Sequence, residues 1–287
     1  MRLARAILTL ILLSLATAGQ LSADAGHLVI IGGGSRPPHM IQKIVELAGG
    51  EEARLLIIPV ASIEPVETAE YQKGQFEEAG AGSVDYIIFD RETVDSEENL
   101  AALAQATGVF LSGGDQRRLT ETMMGSRLLE RLHELYTNGG VIAGTSAGAA
   151  VMSPVMITGD ERINQDPERA FETIQRGNMD TRAGFDLLPG TIVDQHFVIR
   201  RRHNRLISLV LEHPKLLGIG IDESTAIIVG PPDRFEVLGE SLVLVYDASQ
   251  ARGITTDKGG NLAGAGVSLH VLSSGQRFDL ETRAPIP

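Results

Sequence analysis

Cysteine and tryptophan are absent from this 287-residue chain, and aromatic residues make up only 4% of it. Without cysteine there is no disulfide framework and no thiol nucleophile, so folding rests on a hydrophobic core. Scarce aromatics argue against a platform on which unpaired bases stack. Positive charge is also in short supply, with 25 Lys and Arg against 37 Asp and Glu, a net charge of −12. Such a surface repels nucleic acid and anionic lipid and attracts cationic solutes or polymers, although solubility alone also accounts for it.

Long apolar runs are missing except at the start. "MRLARAILTLILLSLATAG" combines Arg2 and Arg5 with an apolar stretch from Ala6 to Leu13 and the small residues Ala16 and Ala18. That is the layout of a secretory signal peptide, too short to cross a bilayer as a mature helix. Residues 1–18 are expected to be removed, with cleavage after Ala25 as the alternative. The mature protein is then exported, to the periplasm or the medium, and is not membrane-bound. Loss of Arg2 and Arg5 leaves 23 basic against 37 acidic residues, a net charge of −14. Residues 26–287 are enough for a full core and are expected to form a single α/β domain.

Short β-branched runs ending in glycine or turn residues recur: "HLVIIGGG", "ARLLIIPVAS", "SVDYIIFD", "TGVFLSGGD", "GVIAGTSAG", "GTIVDQHF" and "LLGIGIDEST". They fit strands of a parallel sheet covered on both faces. Helical patterns lie between the early ones, including 38–48 and a stretch over 117–138 closed by Gly139 and Gly140. The alternation predicts a doubly wound, mostly parallel α/β sheet. After Thr225 the chain is strand-rich, read as an antiparallel C-terminal extension of that sheet. Residues 159–184 are polar and weakly periodic, read as a loop with helical turns.

Ligands of such sheets bind at the carboxyl ends of the strands, so the residues just after each run matter most. "GTSAG" places Ser146 in a G-x-S-x-G turn between a strand and an alanine-rich helix start. This is the pattern of a nucleophile elbow, in which Ser146 is exposed and the Ala147 N–H faces a developing oxyanion. A helix-capping serine in a glycine-rich turn is the plainer alternative. Gly113 and Gly114, in "FLSGGDQ", are candidates for the second oxyanion donor, against an ordinary Gly-Gly turn. A serine hydroxyl needs a base, and His196 directly follows the "GTIVDQ" run. Asp222 or Glu223, after "GIGI", can supply the orienting acid. Arg200, Arg202 and Arg205 follow His196 by four, six and nine residues, and guanidinium groups there would recognise an acidic group; a solvated basic turn is the alternative. "IIGGGSRPP" suggests a dinucleotide loop, but Pro37 stands where the last glycine of G-x-G-x-x-G belongs. No metal-ligand spacing and no Walker motif occurs, so neither metal nor cofactor is expected.

Five ordered blocks, "IIGGGSRPP", "FLSGGDQRRL", "GTSAGAAVMS", "DQHFVIRRRHNRL" and "GIGIDEST", together resemble the peptidase S51 family, in its cyanophycin-hydrolysing branch. The resemblance implies a serine peptidase on a flavodoxin-like sheet, with Ser146 as nucleophile, His196 as base and Glu223 as orienting acid. It also implies that Gln116, Asp194, Gln195, Arg200, Arg202 and Arg205 line the substrate pocket, and that the protein is a homodimer. The implied substrate is cyanophycin, a poly-aspartate bearing arginine on its β-carboxylates, and the implied product is the β-Asp-Arg dipeptide. Two other functions fit the residues: a peptidase acting on short aspartyl or isoaspartyl peptides, and a non-catalytic periplasmic binding protein for anionic ligands.

Overall fold

The computed structural model describes residues 25–287; the segment read as a signal peptide lies outside them. Five strands, β1 (His27–Ile31), β2 (Arg54–Ile58), β3 (Ser83–Tyr86), β4 (Gly108–Leu111) and β5 (Val141–Thr145), run parallel in the spatial order β3-β2-β4-β5-β1. Side chains alternate across a strand, and here both faces are apolar. Val29, Ile31, Leu55, Ile57 and Phe110 meet helices α1 (Pro38–Leu47) and α2 (Pro65–Glu78) through Ile41, Ile44 and Phe76. Leu28, Ile30, Leu56, Ile58 and Val109 face the other way, toward Leu103 of α3 (Glu97–Gln105) and, beyond α4 (Gln116–Met123), toward Leu128 and Leu132 of α5 (Arg127–Thr137). The chain moves outward from β1 to β3 with its helices on one face and returns with them on the other, as right-handed crossovers require.

The stretch over 117–138 is thus two helices, not one. Gly125 takes a φ of 70°, Ser126 accepts the Leu129 N–H at 3.1 Å, and Asp95 accepts the Leu128 N–H at 3.0 Å. These caps start a new helix inside what is otherwise a continuous apolar periodicity. After β5 comes the short helix α6 (Ala147–Ala150). Residues 159–184 also differ from expectation, because β6 (Val155–Glu161) and β7 (Met179–Ala183) pair as an antiparallel ribbon. Its polar side is held by Thr158 and Arg162 donating to Asp180, which hides the strand alternation in the sequence.

The "GTIVD" and "LGIGI" runs are strands β8 (Thr191–Asp194) and β9 (Leu217–Ile221), parallel to each other but outside the central sheet. The edge of β1 that they would join is taken by β10 (Thr225–Gly230), which pairs antiparallel with it from Leu28↔Val229 to Ile31↔Ala226. β11 (Arg234–Gly239), Arg277–Asp279 and Ala284–Ile286 complete the nine-stranded sheet as its antiparallel extension. β12 (Val243–Asp247) pairs instead onto β9, and Ser268–Leu272 onto β12, giving a second, four-stranded sheet backed by α7 (His203–Glu212). The C-terminal strands therefore divide between these two sheets and a separate antiparallel pair, Arg252–Thr256 with Leu262–Ala265, and one contiguous core runs from Leu28 and Ile142 to Ile219 and Val245.

At Gly148 the start of α6 presses on β4, and a Cβ there would stand 2.2 Å from the Leu111 carbonyl oxygen. Backbone would have to move to admit it. Gly148→Ala is expected to lower stability by about 1–3 kcal/mol, read as a fall in the chemical-denaturation midpoint. An unchanged midpoint would show that the elbow is not packed this tightly.

Candidate active site

Three side chains from different parts of the fold converge at the carboxyl end of β1. Ser146, between β5 and α6, has φ 52° and ψ −105°, a backbone conformation that costs a non-glycine residue on the order of 1–3 kcal/mol. Its N–H donates to Ile31 O at 3.0 Å, and its carbonyl accepts from the Ala149 and Ala150 amides at 3.1 and 3.0 Å. His196 follows β8 with φ 48°, its N–H donating to Gly32 O at 2.7 Å. Glu223 lies where the chain leaves the second sheet at β9 for the central sheet at β10.

The Ser146 hydroxyl lies 2.9 Å from His196 Nε2, and His196 Nδ1 lies 2.5 Å from Glu223 Oε1. A carboxylate accepts the Nδ1 proton, which leaves the Nε2 lone pair to accept the Ser146 O–H. Burial pushes the imidazole below its ordinary value; Glu223 pulls it up, and the charges of Arg200 and Arg202 push it down again. The ring is therefore uncharged at neutral pH and able to take the serine proton. Of the two acids left open by the strand-end argument, Glu223 meets the imidazole. Asp222 has other partners: it accepts the Val198 and Ile199 amides, both at 3.0 Å, and the Ser241 hydroxyl at 2.6 Å, and so shapes the turn that carries His196.

The Gly113 backbone lies beside the serine, since a Cβ built on it would be 3.5 Å from Ser146 Cβ. Neither the Gly113 nor the Ala147 N–H donates to a backbone acceptor among the described residues. Amides without a backbone partner beside a serine are the groups that an oxyanion formed there would need. Gly114 has φ 137° and approaches Ala61 instead, with a built Cβ 2.1 Å from the Ala61 carbonyl oxygen.

The arginine set divides in a way its spacing does not reveal. Arg205 and Asp194, each 1% exposed, form a buried pair: Arg205 Nε donates to Asp194 Oδ2 at 2.7 Å, and Nη2 donates to Oδ1. Phe171 covers that guanidinium at 4.8 Å. Arg202 is also buried and donates to the Gln195 carbonyl and side-chain oxygen at 2.6 and 2.8 Å. Burial pushes its guanidinium down to about 10, with the like charge of Arg205 adding to the effect. Arg202 and Arg205 thus brace the turn below His196 from inside; an open acid-binding pocket is not what they line. Only Arg200 of the three is exposed, 3.8 Å from Glu223 Oε1. Gln116 is likewise buried, its amide donating to the Ile157 and Thr158 carbonyls at 2.8 and 2.6 Å, where it holds β6 against α4.

The cleft that opens onto Ser146, about 400 Å³, is lined by Gly33, Arg36, Glu64, Glu67, Tyr71 and Gly113, and by none of the three arginines after His196. A cavity of similar size, about 420 Å³, lies beside the end of β6 and the loop after it and contains none of the convergent residues, which makes the first the candidate site. Two functional features escape the sequence argument. The first is the glycine run after β1, against which the His196 imidazole is seated: at Gly33, φ 106°, a Cβ would stand 2.2 Å from His196 Cε1. Three consecutive glycines at a strand's carboxyl end were the signal for it. The second is the wall formed by Arg36 and α2, for which only the strand-end position of Arg36 gave a hint.

The family model described as peptidase family S51 matches residues 28–233. A cyanophycinase from Trichormus variabilis is 37% identical over 267 residues, 90% of this chain and 87% of the relative. A cyanophycinase from Synechococcus elongatus is 35% identical over 274 residues, 93% and 83% of the two chains. The crystal structure of a peptidase from an acI-B1 Actinobacterium superposes with a TM-score of 0.67 over 89% of this chain and 97% of the other, at 22% identity, a likeness of fold. The chain belongs to peptidase family S51 and is a peptidase of the kind these relatives represent.

Two outcomes follow from the geometry. A base must be neutral to act, so activity falls as pH drops through the His196 pKa, which is held below 6.5. Arg200→Ala removes one downward cause, so the acid limb of the kcat/KM–pH profile should move to higher pH; a limb that stays put removes Arg200 from the electrostatics of the base. Arg205→Ala leaves Asp194 buried without its main partner and should cost about 3–5 kcal/mol of stability by chemical denaturation. Loss of substrate affinity at unchanged stability would instead make Arg205 a substrate-facing residue.

Proposed function

We propose that the protein is an exported serine-type exopeptidase that hydrolyses cyanophycin to β-Asp-Arg dipeptides through an acyl-enzyme. The observation that carries the catalytic half is the continuous chain from the Ser146 hydroxyl through His196 to Glu223, with a neutral imidazole in the middle. In this mechanism His196 Nε2 takes the Ser146 proton as Oγ attacks the scissile carbonyl. The Gly113 and Ala147 amides receive the oxyanion, and Glu223 stabilises the imidazolium. His196 then gives the proton to the leaving amine. Water, deprotonated by the same ring, attacks the acyl-serine and restores the hydroxyl.

The choice of polymer is supported by similarity to cyanophycinases over 90% or more of the chain. Export is supported by the sequence of residues 1–18 and matches scavenging of polymer outside the cell. The test is incubation of the mature protein and its Ser146→Ala variant with insoluble cyanophycin, with β-Asp-Arg quantified. The wild type should release the dipeptide, and the variant should lose on the order of 10⁴-fold or more in rate with its thermal unfolding unchanged. Equal turnover by the two proteins would sink the serine mechanism. Failure of a fluorophosphonate to label Ser146, with tight binding of an acidic peptide, would favour a binding protein.

A further inference from the structure

Arg36 is the cation of the Ser146 cleft, and no carboxylate among the described residues pairs with it. Its guanidinium is half-buried and packs over the rings of Phe110 and Tyr71, at 5.8 and 6.0 Å. Nη2 donates to Gln75 Oε1 at 2.6 Å, and Gln75 is itself held by Nε2 donating to the Tyr71 hydroxyl at 3.3 Å. Nε is buried with no acceptor. A guanidinium has five N–H donors in a rigid fork, and this one is oriented by a glutamine and two rings while most of its donors go unused. Placing a cation among aromatic and neutral groups costs solvation, and an anion arriving beside it restores part of that loss.

Glu64, just before α2, and Glu67, on its first turn, line the same cleft. Both are exposed, and neither forms an ion pair among the described residues. The cleft beside Ser146 thus presents one oriented cation and two free carboxylates to a single ligand-sized space of about 400 Å³. An arginyl residue bearing a free α-carboxylate at one end and a guanidinium at the other matches that pattern.

We propose that this cleft holds one arginyl residue of the substrate, Arg36 taking its α-carboxylate and Glu64 and Glu67 its guanidinium. The assignment rests on the proposed action on β-aspartyl-arginine units and names what selects them. It moves the substrate's acid group away from the arginines after His196, two of which are occupied inside the protein, to a residue on the opposite flank of the glycine run.

The test uses the full chain carrying Ser146→Ala, so that ligand survives, and calorimetric titration with the dipeptide β-Asp-Arg. Exchanging the arginyl residue for agmatine removes only its carboxylate and should weaken binding about 10- to 100-fold, the worth of a charge-assisted contact. Adding Arg36→Gln should weaken β-Asp-Arg by a similar factor and erase the difference between the two ligands. Glu64→Gln with Glu67→Gln should erase the preference for arginine over neutral citrulline. The proposal is overturned if the agmatine ligand binds as well as the arginine ligand, if β-Asp-Arg shows no binding, or if the loss follows amidation of the aspartyl carboxylate instead. The ligand exchange needs no change at Arg36, so a folding defect in that variant cannot mask the result. These titrations read binding alone; absence of dipeptide release from cyanophycin by the wild type would sink the catalytic proposal separately.

Discussion

The close approach of two sheets at the glycine run after β1 is the contact on which the rest of the site depends. The imidazole of His196 lies against Gly33, the His196 amide donates to Gly32 O, and the Ser224 amide donates to Gly33 O at 2.9 Å. Ser146 hangs from the same strand edge through its bond to Ile31 O. Ser146 and His196 therefore come from different sheets and meet because the backbone between them carries no side chain. A single methyl group at Gly33 would displace the ring by more than the tolerance of a hydrogen bond, and misplacement of about 1 Å is already costly to catalysis.

Around that seam the charges are sorted by depth. The surface is acidic, whereas the turn below His196 encloses Asp194 between Arg202 and Arg205, one carboxylate against two guanidinium groups. Asp222 ties the other side of the same turn through two amides and a hydroxyl. The excess positive charge helps keep the imidazole neutral, and the bidentate pair makes the turn rigid, since neither partner can leave the other buried alone. The same buried network thus stiffens the turn and contributes to the neutrality of the imidazole. The cost of the unusual backbone at Ser146 and His196 is borne by these surroundings.

Much of the scaffold was legible because burial on both faces leaves a plain mark in the chain. β1 to β5, β8 and β9 all read as apolar runs, and the residues after them proved to be the ones that converge. Which sheet a run joins was not legible: β8 and β9 carry the same signature as β1, and only the capture of β1's free edge by β10 sends them elsewhere. The break at Met124 to Ser126 and the β6–β7 ribbon were hidden for a similar reason. Caps and cross-strand polar pairs depend on partners distant in sequence, such as Asp95 for Leu128 and Asp180 for Thr158.

At the site, local chemistry marked Ser146, His196 and an acid after β9, because strand ends and the G-x-S-x-G turn are short-range features. Glu223 over Asp222 was beyond the strand-end argument, since adjacent residues differ there only in what lies across the turn. The same holds for the arginines. Composition and spacing showed a cationic cluster after His196, but burial decides whether a guanidinium serves a ligand or a neighbouring aspartate, and Arg36 lies far away along the chain. By itself the sequence determined which residues are able to react and that they stand at strand ends. The tertiary structure alone decided which of them meet, because pairing across two sheets is set by edge occupancy and by the space that a missing Cβ leaves, and neither is written in any one segment.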